Sequence, residues 1–414
     1  MSRRLALLGL VLLAAGCAKD GNSDPGPGAC SSGEAACGDT CVDLRADVSH
    51  CGTCGRACEA GDICSAGTCS RPCAGHRFVP LDPFVVGTAG QAATAADADG
   101  DGLAELVVAD MFNGLVMIPQ TSRRVFGTPL TLAEGHGPAA IAAADLDEDG
   151  RAALLVGEAY EPRVLSLRNT GEGSFAKRWV EPIRAYAWAY ATGDLDGDGH
   201  LDIVATAPEE GEVILLQGDG TGEFLFQERA QFTGRPFAPG IGDFDGDGRT
   251  DVAFAAGGSS FAVVLYHRDD GYDPELVDAV ETLQGLAAGD FDGDGLDDLA
   301  TAGVSSVAIL LGRRQGPFER LAPVDHAWAE LAAGDLDGDG LPEVVALGGG
   351  RLRVLEVEGA ELRVVSEVVG GAGSAKPVLV DLDGDRVLDL VGFRPANPGA
   401  GIEGAVLPVY SECD

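Results

Sequence analysis

The nine residues Asp194-Leu195-Asp196-Gly197-Asp198-Gly199-His200-Leu201-Asp202 decide how the rest of the chain is read. Carboxylates stand at positions one, three, five and nine, and glycines at four and six. Four acids this close repel one another unless a cation lies among them. The donors are hard oxygens on a glycine-bent loop. That suits Ca2+ before Mg2+, because Ca2+ accepts about 6–8 ligands in loose geometry. Six further copies begin at Asp97, Asp145, Asp243, Asp290, Asp335 and Asp381, so the repeat is 45–49 residues long.

Each unit has one grammar. A small, apolar run enters the loop (Gly137 to Ala142; Leu283 to Gly289), and a β-rich run leaves it (Glu105 to Ala109; Asp202 to Ala207; Asp251 to Ala256). A second strand follows a turn (Gly114 to Ile118; Gly211 to Gln217; Phe261 to His267), and glycines with an aromatic open a fourth segment, as in Gly218 to Phe224. Four short strands in about 45 residues mark a propeller blade. Seven units predict an all-β, seven-bladed β-propeller over residues 78–413, with a β-solenoid as the structural alternative.

The ends fit closure. After Asp389 only Leu390 to Phe393 and Ala405 to Tyr410 remain as strands, while Phe78 to Val86 is spare at the start. If the spare strand completes the last blade, antiparallel pairing sets Phe78 beside Tyr410 and brings Cys73 to Cys413.

The chain of 414 residues carries 61 glycines and a formal charge of −38. Abundant glycine with few aromatics favours short strands and tight turns. The negative charge repels phosphates and argues against nucleic-acid binding; much of it sits in the seven loops and reads as metal ligands.

Residues 1–16 read as a secretion signal, with Arg3 and Arg4, an apolar run Leu5 to Leu13, then Ala14-Ala15-Gly16. The run is too short for a spanning helix of about 20 residues. Cys17 follows directly, which resembles a bacterial lipoprotein signal whose cysteine is lipidated after cleavage. That implies export and anchoring in a bacterial envelope through lipid alone. Ala18 carries no retention acid, so the outer membrane is the expected address. Residues 17–29 form a flexible tether rich in Gly, Pro and Ser.

Residues 30–73 hold nine cysteines, a density that indicates a disulfide framework in a small exported module. Cys51-Gly-Thr-Cys54 has zinc-knuckle spacing, but export and the lack of a second close pair favour disulfides. Cys413 makes the number even, so a Cys73–Cys413 disulfide is expected, with four bridges inside the module. The run Cys37-Gly-Asp-Thr-Cys41-Val-Asp-Leu, then His50-Cys51-Gly-Thr-Cys54-Gly-Arg-Ala-Cys58, resembles a stigma-specific-protein-like repeat and implies a spacer without defined activity.

An EF-hand needs an acid at position 12 and flanking helices. Position 12 here is Val108, Val156, Ala205, Phe254, Thr301, Ala346 or Gly392, and the flanks are strand-like. The loops instead resemble the FG-GAP or VCBS-type repeats of integrin-α-like propellers. The resemblance implies Ca2+ held by side chains one, three, five and nine and the carbonyl of seven. The ligands it implies are Asp97, Asp99, Asp101 and Glu105; Asp194, Asp196, Asp198 and Asp202; Asp243, Asp245, Asp247 and Asp251; Asp290, Asp292, Asp294 and Asp298; and Asp335, Asp337, Asp339 and Glu343. Two loops depart from the pattern. Asp145, Asp147 and Asp149 are followed by Ala153 at position nine. Asp381, Asp383, Asp385 and Asp389 surround Arg386, where a glycine with positive φ is expected. Up to seven Ca2+ are expected, with the second site weakest and the seventh impaired, and the ions hold the fold together.

No His-Glu-x-x-His, Gly-x-Ser-x-Gly or Gly-Lys motif is present, and the six histidines lack ligand spacing. Aromatic residues just ahead of the loops are the better lead. Tyr186, Trp188 and Tyr190 alternate in the third unit, Arg235 and Phe237 follow in the fourth, and Trp328 stands in the sixth. Aromatics with an arginine suit a sugar or peptide; the alternative is that they plug the channel. The sequence therefore reads as a Ca2+-binding surface lipoprotein whose propeller binds a protein or glycan. The alternatives are a carbohydrate-active enzyme, or a module of one, and an envelope scaffold.

Overall fold

A computed structural model describes residues 35–37, 40–42, 48–50, 54–55, 57–58, 63–65, 68–70, 76–85 and 90–413, except 134–136, 172, 181–182, 184, 233, 280, 327–328, 370–376, 386 and 395–404. The regular elements among them are strands. The third unit shows the plan. Ala189–Gly193, Asp202–Ala207, Glu212–Gly218 and Phe224–Gln231 form one antiparallel meander in chain order. Six other sheets follow the same plan, with the outer strand in two pieces in the fifth and seventh and supplied by an earlier segment of the chain in the seventh, giving seven blades.

First strands of successive blades pack on one another round the ring, and Val378–Val380 of the seventh returns to Gly90–Ala96 of the first. These strands are rich in Ala and Gly because the centre is crowded. A Cβ on Gly193 would lie 2.1 Å from Ile241 Cδ1 in the next blade. Second strands such as Glu105–Asp110, Ala153–Glu158 and Asp202–Ala207 are buried along their whole length. Their side chains fill the layers between blades: Leu155, Ile203 and Ile214 share one cluster, and Leu106, Val391 and Tyr410 another. Each such side chain contributes about 1.5–3 kcal/mol on burial.

The ring closes with its own ends. His76–Pro80 and Phe84–Val85 form the outer edge of the seventh blade, against Ala405–Cys413. The register differs by one residue from the expected one: Phe78 faces Ser411, and Val79 faces Tyr410. The outer strand is also broken. It resumes one residue out of step as Phe84 facing Val406, after a Leu81-Asp82-Pro83 segment whose proline has no N–H for the ladder.

In the cysteine-rich region Ala35–Cys37 pairs with Thr40–Val42, and Ile63–Ser65 with Thr68–Ser70. Cys54 and Cys58 each take part in a disulfide. Cys17, Cys73 and the side chain of Cys413 lie outside the described residues, and with them the lipid site and the Cys73–Cys413 bridge.

Candidate metal centres and the face opposite them

Each carboxylate loop joins the first strand of a blade to the second. In the third blade Asp194 accepts the N–H groups of Gly197 (2.7 Å) and Gly199 (2.9 Å) through its two oxygens. Asp196 accepts from Asp198 (3.1 Å), and Asp198 from His200 (2.9 Å). Asp97, Asp243, Asp290 and Asp335 bind their loops in the same way. The turn needs left-handed backbone at positions four and six: φ is 80° at Gly197 and 91° at Gly199. The requirement is strict enough that Glu148, which replaces the first of these glycines in the second loop, also has φ 54°.

The acid at position nine starts the second strand and is the buried one. Asp202 accepts from Leu195 at 2.6 Å and from Gly218, on the third strand, at 2.7 Å. Asp251, Asp298 and Asp389 repeat this pair of bonds through Phe244 and His267, Phe291 and Gly312, and Leu382 and Ser411. One carboxylate thus ties the loop to two strands. Burial, with neighbouring carboxylates adding to it, pushes Glu105, Asp251 and Asp298 up to about 7, Asp389 to about 8 and Glu343 to about 9.

Oxygens of Asp97, Asp99 and Glu105 lie within 4.8 Å of one another, as do those of Asp194, Asp196 and Asp202, and of Asp243, Asp245 and Asp251. Asp290, Asp292 and Asp294 form a similar group, as do Asp145, Asp147 and Asp149. Several hard anionic oxygens converging on one point, with a buried carboxylate among them in three of these groups, fit a divalent metal. The acidic clusters can therefore hold metal ions.

The second and seventh loops meet arginine instead. Arg168, on the third strand of blade two, is ion-paired with Asp147 and lies 3.6 Å from Asp149, which Arg151 also contacts at 3.1 Å. In the third, fourth, fifth and seventh blades the third strand, or the residue just after it, offers its N–H to the acid at position nine. Here Ala153 supplies no acceptor, and Asn169, at the equivalent place, has a buried Nδ2 without a partner. Glu148 turns away from the loop and pairs with His200 of the third. In the seventh loop Asp383 has no exposed side-chain surface and takes Arg123 Nε at 2.9 Å and Arg124 Nε at 2.6 Å; Arg123 also reaches Asp385 at 2.7 Å. Both arginines come from a small ribbon of the first blade, Gln120–Ser122 paired with Val125–Phe126. The repeat pattern did not reveal this ribbon; its one signal is a pair of adjacent arginines in a strongly acidic chain. Arg386 lies outside the described residues.

Because the loops lie at one end of each meander, the turns between second and third strands lie at the other, together with the approaches to the first strands. Trp188 stands on this turn face, 47% exposed, just before Ala189–Gly193. Arg235, the first residue of the fourth blade's first strand Arg235–Gly242, is exposed and pairs with Glu209 in the blade-three turn; Tyr186 offers its N–H to Glu210. Phe237 is half-buried against the core between blades four and five, and Tyr190 is buried. Trp328 lies outside the described residues. Phe112 and Tyr160, which sequence reasoning missed, occupy the second-to-third turns of blades one and two at 69% and 59% exposure, and Phe261 follows the turn of blade four at 39%. Tyr160 lies over Gly137, where a Cβ would come within 2.4 Å of its ring.

Residues 18–72 match the stigma-specific STIG1-like protein family. No curated protein matches the chain. Among solved structures, BBS1N in complex with ARL6DN is similar, with a TM-score of 0.55 and 13% identity over 80% of this chain and 96% of that one. So is a catalytically inactive virginiamycin B lyase from Staphylococcus aureus with quinupristin, at TM-score 0.52 and 11% identity over 81% and 99%. At such identities the likeness shows the fold alone. The FG-GAP-like repeat matches residues 97–156, 194–254, 290–346 and 335–392, spans that take in all seven loops and more than half of the chain. With its seven four-stranded blades and the carboxylate loop at the same place in each, the chain belongs to the FG-GAP-like repeat family.

Proposed function

We propose that this protein is a Ca2+-binding surface lipoprotein whose propeller recognises a protein or glycan partner on its turn face. The observation that carries the reading is the exposure of one aromatic side chain in each of four successive blades, Phe112, Tyr160, Trp188 and Phe261, at the end of the ring opposite the loops. Large apolar groups fixed on a rigid scaffold and left in water are what a recognition surface needs. The loop face serves cohesion: Ca2+ in the intact loops neutralises the clustered carboxylates and holds the turns. Lipid on Cys17, the tether and the disulfide-stiffened module would carry the propeller away from an outer membrane.

The test is a glycan array and an envelope pull-down with the Ca2+-loaded propeller, run beside a Y160A/W188A variant. Specific binding that the variant loses supports the reading. Binding that survives the double substitution unchanged removes the turn face as the site.

A further inference from the structure

Whether a carboxylate loop recruits a divalent ion depends on how much of its charge the chain already neutralises. In the second loop three carboxylates, Asp145, Asp147 and Asp149, face two guanidinium groups, Arg151 and Arg168. A divalent ion added there would leave the cluster net positive, and the acid at position nine is missing. In the seventh loop, which carries four carboxylates, Asp383 and Asp385 are taken by Arg123 and Arg124. An ion there would have to displace two guanidinium groups from Asp383, a fully buried side chain of this cluster.

The seventh-loop arginines are also held in place from behind. Arg124 bonds Glu412 at 2.5 Å and lies over the Tyr410 ring at 4.5 Å. Gln120 donates to the Leu382 carbonyl and accepts from the Tyr410 hydroxyl at 3.1 Å. The guanidinium groups are thus delivered by a docked ribbon, and Arg124 in particular has little side-chain freedom left to lose. The fourth loop shows the contrast. Arg268 alone bridges Asp245 (2.5 Å) and Asp247 (2.8 Å), and four carboxylates against one guanidinium stay net negative even with a bound divalent ion. In the third loop the equivalent partner is an uncharged amide, Gln217 on Asp196.

We propose that arginine is the resident cation of the second and seventh loops. Arg168 with Arg151, and Arg123 with Arg124, take the place a divalent ion holds in the other loops. The protein therefore saturates at five Ca2+, and the seam between the first and seventh blades closes without metal. The proposal rests on the reading that the intact loops bind Ca2+.

Native mass spectrometry of the full chain at rising Ca2+ counts the ions. The expected number is five for the wild type and six for each of two variants, A153D/R168Q and R123Q/R124Q. If the second variant fails to fold because the ribbon no longer docks, the first still decides. Seven ions in the wild type would overturn the arginine assignment and leave the calcium reading standing. Five in the wild type and in both variants would also overturn it. No ions at all would overturn both.

Discussion

Arg124, in the first blade, reaches the buried carboxylate of Asp383, in the seventh, at 2.6 Å. The two residues stand at the seam where the chain closes its ring, so their bond does for this interface what the paired strands His76–Pro80 and Ala405–Cys413 do for the blade itself.

Replacing Arg124 by alanine should destabilise the propeller measurably in EGTA. The change removes charge-assisted bonds to Asp383 and Glu412 and a ring contact with Tyr410. Losses of this kind cost about 1–3 kcal/mol, and the low end applies because Arg123 still pairs with Asp383. Chemical denaturation in EGTA checks the size. An unchanged midpoint would show that the seam does not depend on the ribbon.

Asp202→Ala should cost more. The substitution orphans two buried donors, the N–H groups of Leu195 and Gly218, which Asp202 now accepts at 2.6 and 2.7 Å. With each orphan costing about 1–3 kcal/mol, the variant should unfold earlier both with and without Ca2+. It should also bind one Ca2+ fewer. A variant that loses only the ion and keeps wild-type stability in EGTA would show that the two backbone bonds are energetically idle.

The metal-free protein should lose stability as pH rises. Its position-nine carboxylates are raised in the folded state, to about 7 at Asp251 and Asp298, about 8 at Asp389 and about 9 at Glu343, chiefly by burial. For a raised carboxylate the unfolded chain gives up its proton first. The stabilisation is complete below the unfolded pKa of about 4 and is lost as pH climbs through the folded values. Ca2+ reverses the trend, since binding needs the ionised form and releases those protons. Melting curves in EGTA at about pH 5.5 and 8.5 should show the lower midpoint at the higher pH, and the gain from Ca2+ should be larger there. The opposite order in EGTA would contradict the burial of these acids.

Much of the architecture is legible in the sequence because the loops impose it. An acid at positions one, three, five and nine with glycines between them permits one turn, and the 45–49-residue interval leaves room for four strands. The closing strand was legible for the same reason, since one blade lacked an edge and one strand was spare. Its register was not, because it depends on the Leu81-Asp82-Pro83 break, which no periodicity encodes. The partnership of Arg123 and Arg124 with Asp383 joins residues about 260 positions apart through an insertion found in one blade. A repeat pattern averages such insertions away. Phe112 and Tyr160 escaped notice because they sit in turns whose length differs from blade to blade, so they share no position in the repeat.

Trp188 and Tyr160 separate binding from folding. Both side chains are about half exposed or more, at 47% and 59%, and belong to none of the core clusters, so truncating either to alanine should change stability by no more than about 0.5 kcal/mol. If the turn face is where the partner docks, each should lower affinity by about 10-fold or more, as an aromatic anchor does when it is desolvated on binding. Phe237 is the internal control. It is half-buried against the core of blades four and five, so Phe237→Ala should lower the melting temperature while any effect on binding follows from that loss. The comparison is made with the partner identified by array or pull-down, using titration calorimetry beside thermal melts of the same samples. If W188A and Y160A bind as the wild type does while melting normally, these aromatics are solvent-exposed bystanders and recognition lies elsewhere on the ring.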